Sequence, residues 1–133
     1  MRPPQLIRHL FHSLVWRIPA KEKVLYLTFD DGPIPEVTPW VLDQLDRFKA
    51  KATFFTIGKN VRKHANIYQE ILRRGHRTGN HTYSHLNGWT TFNQEYLKDI
   101  ALCGRLVDSE LFRPPYGKIR PTQARSIDAS KVP

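Results

Sequence analysis

Short strand-like runs alternate with stretches of helical periodicity along this chain, and that order restricts its fold more than any other feature. Residues 24–29 (VLYLTF) follow the charged lead-in Lys21-Glu22-Lys23 and are almost continuously apolar. Such a run predicts a strand buried on both faces, as in a parallel sheet. It stops at Asp30-Asp31-Gly32-Pro33. Residues 35–48 then bring Val37, Val41, Leu45 and Phe48 to one helical face, with Trp40 close by. Residues 52–57 (ATFFTI) are β-branched and aromatic and predict a second strand ending at Gly58. Asn60 is a candidate cap for a helix running to Arg74, with Val61, Ile67, Ile71 and Leu72 inward and Gly75 as its stop. A short extended piece leads to His81. Residues 93–107 predict a third helix with Tyr96, Leu97, Ile100, Ala101 and Leu106 on its apolar side. Residues 111–113 predict a brief fourth strand, halted by Pro114-Pro115, and Pro121 suits the first turn of a further helix. This order predicts an α/β fold of parallel strands joined by right-handed crossovers.

In such folds ligands gather at the carboxyl ends of the strands. The chemically informative residues all fall there: Asp30-Asp31, the histidines after the third strand, and residues 113–117. At 133 residues the chain is expected to hold one domain, over 21–133, preceded by an amphipathic segment over 1–20. In that segment Leu6, Ile7, Leu10, Phe11, Leu14 and Val15 form a stripe opposite Arg8, His12 and Arg17. Docking on its own domain is the expectation, ahead of membrane association.

The formal charge of +9 is unevenly spread. Residues 47–77 carry nine Lys or Arg against one acid, Glu70, while residues 30–46 carry five acids and no base. The bases fall on polar helix faces without any nucleic-acid motif, so no nucleic-acid partner is expected. One cysteine, Cys103, cannot form an internal disulfide. No apolar run is long enough to span a bilayer, and Arg8, His9 and His12 interrupt any secretory core, which points to the cytoplasm.

Two adjacent aspartates at a strand end repel, so one resists ionising unless a cation sits beside them. They also serve as acids favouring the dipole of the following helix. His81-Thr82-Tyr83-Ser84-His85 has an H-x-x-x-H spacing that, on a helical turn, sets both imidazoles on one face. Two imidazoles and one carboxylate form an arrangement open to water and substrate. Two ordinary polar histidines give the same spacing. In Arg113-Pro114-Pro115-Tyr116-Gly117, prolines stiffen the turn, Gly117 permits close backbone approach, and Arg113 is able to hold a carboxylate by two parallel hydrogen bonds. A rigid strand-to-helix connection is the plainer account.

Together, TFDDGP, HTYSH and RPPYG in this order resemble the NodB-homology polysaccharide deacetylases, a family of carbohydrate esterases, over residues 23–120. The resemblance implies a distorted (β/α) barrel and hydrolytic removal of acetyl groups from N-acetylated or O-acetylated oligo- or polysaccharides with one divalent ion, most often zinc. It implies Asp31, His81 and His85 as metal ligands and Asp30 as general base. Arg113 would orient Asp30, and the backbone N–H of Tyr116 would hold the oxyanion, with Pro115, Tyr116 and Gly117 facing substrate. The family's later segments, including one whose histidine acts as general acid, have no counterpart here. The expectation is therefore the front part of such an enzyme, with the barrel cut after its fourth strand. The alternative is a non-catalytic relative that binds metal or glycan.

Overall fold

β-Branched and aromatic residues build the sheet. In the computed structural model, which describes residues 14, 15, 18–20 and 22–129, strands β1 (Leu27–Asp30), β2 (Ala52–Thr56) and β3 (Arg77–Asn80) lie in that order and are all parallel. The register pairs Phe29 with Phe54 and Phe55 with Gly79. The helices are α1 (Val37–Arg47), α2 (Gly58–Lys63), α3 (Ala65–Arg73), α4 (Asn93–Gly104) and α5 (Pro121–Ala129), with a 3₁₀ turn at Pro115–Gly117.

One face of the central strand carries Phe54, packed with Leu42 and Leu45 of α1, Ala52, and Ile71 of α3. Full burial of Ile71 contributes about 1.5–3 kcal/mol relative to exposure. Phe55 points to the other face and fills the space beside Gly79, where a Cβ would lie 2.6 Å from its ring. Val61, Tyr68, Cys103 and Val107 form a second cluster; Tyr96, Ile119 and Ala124 form a third, against which Leu14 also packs.

Several expectations are corrected. The predicted 60–74 helix is two helices, because His64 leaves helical geometry at φ −126°, ψ 50°. Val61 and Tyr68, on either side of the break, enter one cluster and Ile71 enters another; Leu72 turns outward. Asn60 caps nothing, since α2 begins at Gly58. Of the expected α1 stripe, Leu45 is buried and Val41 packs against the same cluster, but Val37 and Phe48 are exposed, and Thr38 and Leu42 are buried instead. α4 ends at Gly104, and Ala101 and Leu106 are exposed. The first strand is not buried on both faces: it starts at Leu27, its outer edge is unpaired among the described residues, and Leu25 is 88% exposed. The fourth strand reduces to one parallel bridge, Asn80 to Phe112. The described residues thus form an open three-stranded sheet and no closed barrel. The amphipathic stripe of residues 5–17 lies outside the described residues except for Leu14 and Val15.

Candidate active site

Asp30 is the last residue of β1, and Asp31 leaves the strand in the left-handed region at φ 71°. The two carboxylates therefore take separate directions. Asp30 Oδ1 accepts from Arg113 Nη1 at 2.8 Å, whereas Asp31 Oδ1 lies 3.0 Å from His85 Nε2 and 3.4 Å from His81 Nε2. Neither serves as the α1 cap: Glu36 occupies that position without a side-chain cap bond. The Asp31 turn is held by Asn60 Nδ2, which donates to the Asp31 carbonyl at 2.7 Å, and by Ile57 N–H, which donates to Gly32 O at 3.0 Å.

The two histidines converge through a loop, not the expected helical turn. His81 follows β3, its N–H donating to Thr56 O, and its ring is buried. Nδ1 lies 2.7 Å from the Arg113 carbonyl. A carbonyl only accepts, so the proton sits on Nδ1 and the neutral ring presents the Nε2 lone pair toward Asp31. Burial pushes the His81 pKa down, with the hydrogen bond to Arg113 opposing it, which favours that neutral ring. His85 Nδ1 lies 3.2 Å from the Tyr116 hydroxyl, and the two rings meet edge to face. Between the histidines the backbone enters the left-handed region at Thr82 (φ 64°) and His85 itself (φ 58°). That is costly for a β-branched threonine.

The ligand-type atoms of Asp31, His81 and His85 all lie within 4.8 Å of one another. Atoms held about 2.0–2.2 Å from a tetrahedral ion stand about 3.3–3.6 Å apart. Carboxylate and imidazole donors at this spacing fit one divalent ion.

Arg113 reaches the site because its N–H donates to Asn80 O at 3.0 Å beside the single bridge. Its guanidinium carbon stacks 4.0 Å over the Phe55 ring, and Nη1 is shared between Asp30 and Thr28 Oγ1. The expected pair of parallel hydrogen bonds is thus one bond to Asp30 and one to Thr28. Tyr116 is 63% exposed with φ 59°, and its N–H has no partner among the described residues. Pro115 is buried, so only Tyr116 and Gly117 of the three expected substrate contacts reach solvent. Gly117 is needed for its φ of 65° and not for close approach, as nothing lies within 4 Å of its Cβ position.

Comparison with known proteins decides the family. The polysaccharide deacetylase model matches residues 17–131. This chain belongs to the polysaccharide deacetylase family. It is 41% identical to a peptidoglycan-N-acetylglucosamine deacetylase of Bacillus cereus, over 80% of this chain and 52% of that protein. It is 38% identical to a chitooligosaccharide deacetylase of Azorhizobium caulinodans, over 76% and 51%. The crystal structure of the peptidoglycan N-acetylglucosamine deacetylase Bc1960 superposes with a TM-score of 0.78 at 39% identity, covering 84% of this chain and 55% of that one. The chain spans about half the length of these relatives.

The sequence did not single out Asn80, Asp99 or Thr28 as part of this site. Asn80 Oδ1 accepts from Thr82 N–H, and its Nδ2 donates to Ile100 O of α4. Asp99 Oδ2 accepts from the N–H groups of Tyr83 and Ser84. One signal existed for Asp99: it lies three residues after Tyr96 and four before Cys103, an acid on the buried stripe of α4.

Proposed function

We propose that this chain carries the metal-binding and proton-accepting part of a hydrolase that removes acetyl groups from an acetylated glycan of the peptidoglycan or chitooligosaccharide kind. The observation that carries the reading is the convergence of His81 Nε2 and His85 Nε2 on Asp31 Oδ1 beside the separate Asp30–Arg113 pair. In this reading Asp31, His81 and His85 hold one divalent ion, zinc by donor type. The bound ion would supply Lewis-acid polarisation of the acetyl carbonyl and of the attacking water.

The remaining roles belong to the chain. Asp30 accepts the proton of the attacking water at a carboxylate oxygen. Arg113 aims that carboxylate, since Nη1 contacts it directly and the guanidinium is fixed over Phe55. Tyr116 N–H, unpaired and exposed on the rigid 3₁₀ turn, donates to the oxygen where negative charge develops. Tyr116 and Gly117 present the surface on which the acetylated sugar rests. His76 is no proton donor to a departing amine, because it sits at the opposite end of β3, buried against Phe54.

Calorimetric titration of the chain with zinc tests the reading. One ion per chain is expected, with binding lost in His85→Ala. Equal affinity in His85→Ala would overturn the ligand assignment.

A further inference from the structure

We propose that Asp99 is the positioning residue for the loop carrying the second imidazole ligand, setting metal affinity through backbone hydrogen bonds without touching the ion. The proposal rests on the reading of Asp31, His81 and His85 as a metal centre.

The loop between His81 and His85 cannot hold its own shape. Thr82 and His85 both lie at positive φ, which costs on the order of 1–3 kcal/mol per residue and persists only where the surroundings impose it. The surroundings act on two sides. On the carbonyl side, Thr82 O and Tyr83 O accept from the N–H groups of Gly58 and Lys59, the first two residues of α2. The second side is made by one oxygen. Tyr83 N–H and Ser84 N–H both donate to Asp99 Oδ2, each at 2.8 Å, and neither has another acceptor among the described residues. Hydrogen bonds to an ionised acceptor are roughly twice as strong as neutral ones.

Asp99 is also a stiff post. It lies inside α4, between Tyr96 and Cys103, both fully buried in different clusters. The same helix receives Asn80 Nδ2 at Ile100 O, and Asn80 Oδ1 in turn accepts from Thr82 N–H. α4 therefore grips the loop at three consecutive amides, Thr82, Tyr83 and Ser84, two of them directly through Asp99. The next residue is His85. Its ring direction follows from the path of those amides, so a carboxylate that touches neither imidazole controls whether Nε2 of His85 meets Asp31.

Zinc titration by calorimetry, paired with amide hydrogen exchange by NMR, tests this on the parent, Asp99→Ala, Asp99→Asn and His85→Ala. Asp99→Ala should lower zinc affinity about 10–100-fold, the range for outer partners of metal ligands, with stoichiometry still one. Asp99→Asn keeps an oxygen near the acceptor position but loses its charge, so a smaller fall is expected. In metal-free protein the Tyr83 and Ser84 amides should exchange at least about tenfold faster in both variants, while amides of β2 keep their protection. A residue serving general stability alone would lower the thermal midpoint and leave zinc affinity unchanged, and that result overturns the proposal. If Asp99→Ala does not fold, Asp99→Asn at parental affinity overturns it. If the parent binds no zinc, the metal reading fails by itself. The loop claim is then decided by exchange: faster Tyr83 and Ser84 amides uphold it, and unchanged ones sink it.

Discussion

Arg113 serves two partners with different atoms: its side-chain Nη1 donates to Asp30 Oδ1 at 2.8 Å, and its backbone carbonyl receives His81 Nδ1 at 2.7 Å. One residue thus aims the proposed base and fixes the tautomer of a proposed metal ligand. The coupling arises because the bridge beside Asn80 lays residues 112–113 along the end of β3, next to both. A shift of this segment would disturb base and ligand together.

The two aspartates are separable by measurement. Asp30 contacts Arg113, and Asp31 contacts the histidines. Asp30→Asn should therefore keep parental zinc affinity and lose about 10²-fold or more in kcat, the scale of general-base catalysis. An activated acetyl ester is the appropriate substrate, since its leaving group departs without a proton. Loss of zinc in Asp30→Asn would mean that the roles of the two residues are exchanged.

Gly58 tests how the loop is seated. A Cβ there would lie 2.5 Å from Tyr83 Cδ2 and 3.1 Å from Tyr83 Cα, in the middle of the histidine loop. The tyrosine ring is able to swing away, but the backbone must move. Gly58→Ala should cost roughly 1–3 kcal/mol by overpacking and weaken zinc binding in the same variant. Chemical denaturation and zinc titration read the two effects. A variant as stable as the parent with unchanged zinc binding contradicts the seating described.

Two of the strand ends announce themselves, since apolar runs stop at Asp30 and at Gly58, whereas β3, Arg77-Thr78-Gly79-Asn80, gives no such signal before His81. The family resemblance supplied the roles. The supporting residues were hidden for a physical reason. Asp99 and Asn80 are ordinary polar residues in a helix and a strand, and periodicity does not distinguish an acid facing solvent from one facing a loop. The H-x-x-x-H spacing suggested a helical turn because that is the simplest way to align two imidazoles. The structure achieves the same convergence with positive φ at Thr82 and His85, residue types that give no warning of it. The break at His64 was equally silent, since Val61 and Tyr68, seven residues apart, keep a helical spacing across it.

Buried His76 predicts the direction of pH dependence. Burial is the larger cause lowering its pKa; nearby Lys51 and Arg74 add to it, and Asp46 opposes. Its Nδ1 accepts from Ala52 N–H at 3.3 Å, a bond that needs the unprotonated nitrogen. The unfolded chain protonates this histidine near about pH 6.5 while the native chain does not. The unfolded state then binds more protons, so stability falls as pH drops below that value. Thermal midpoints in chelator should decline from about pH 7.5 to about pH 5, less steeply in His76→Asn, whose Oδ1 can take the same N–H. Parallel slopes for the two proteins would remove His76 from the account.

The unpaired edge of β1 carries the last prediction. Leu27 and Phe29 of that strand, with Trp40, Val41, Leu45 and Phe48 of α1 and its end and with Ala50, line an almost entirely apolar groove of about 250 Å³. Trp40 is 62% and Phe48 77% exposed, and Leu25 and Tyr26 extend the apolar surface along the approach to β1. Monomeric proteins seldom leave such a patch beside a free strand edge, because apolar area and unpaired backbone groups both invite a neighbour. The chain spans about half the length of the relatives it matches. The 133-residue chain alone should therefore self-associate through this edge as concentration rises, despite its charge of +9. Sedimentation velocity should show weight-average mass growing with concentration for the parent. The growth should be largely suppressed in Leu27→Lys/Phe48→Lys, which places charge in the groove without touching the histidine loop. Zinc affinity should be unchanged in that double variant, separating the edge from the site. A parent that sediments as a monomer at all concentrations, or a double variant that associates as strongly, would show that the exposed face of β1 and α1 does not drive assembly.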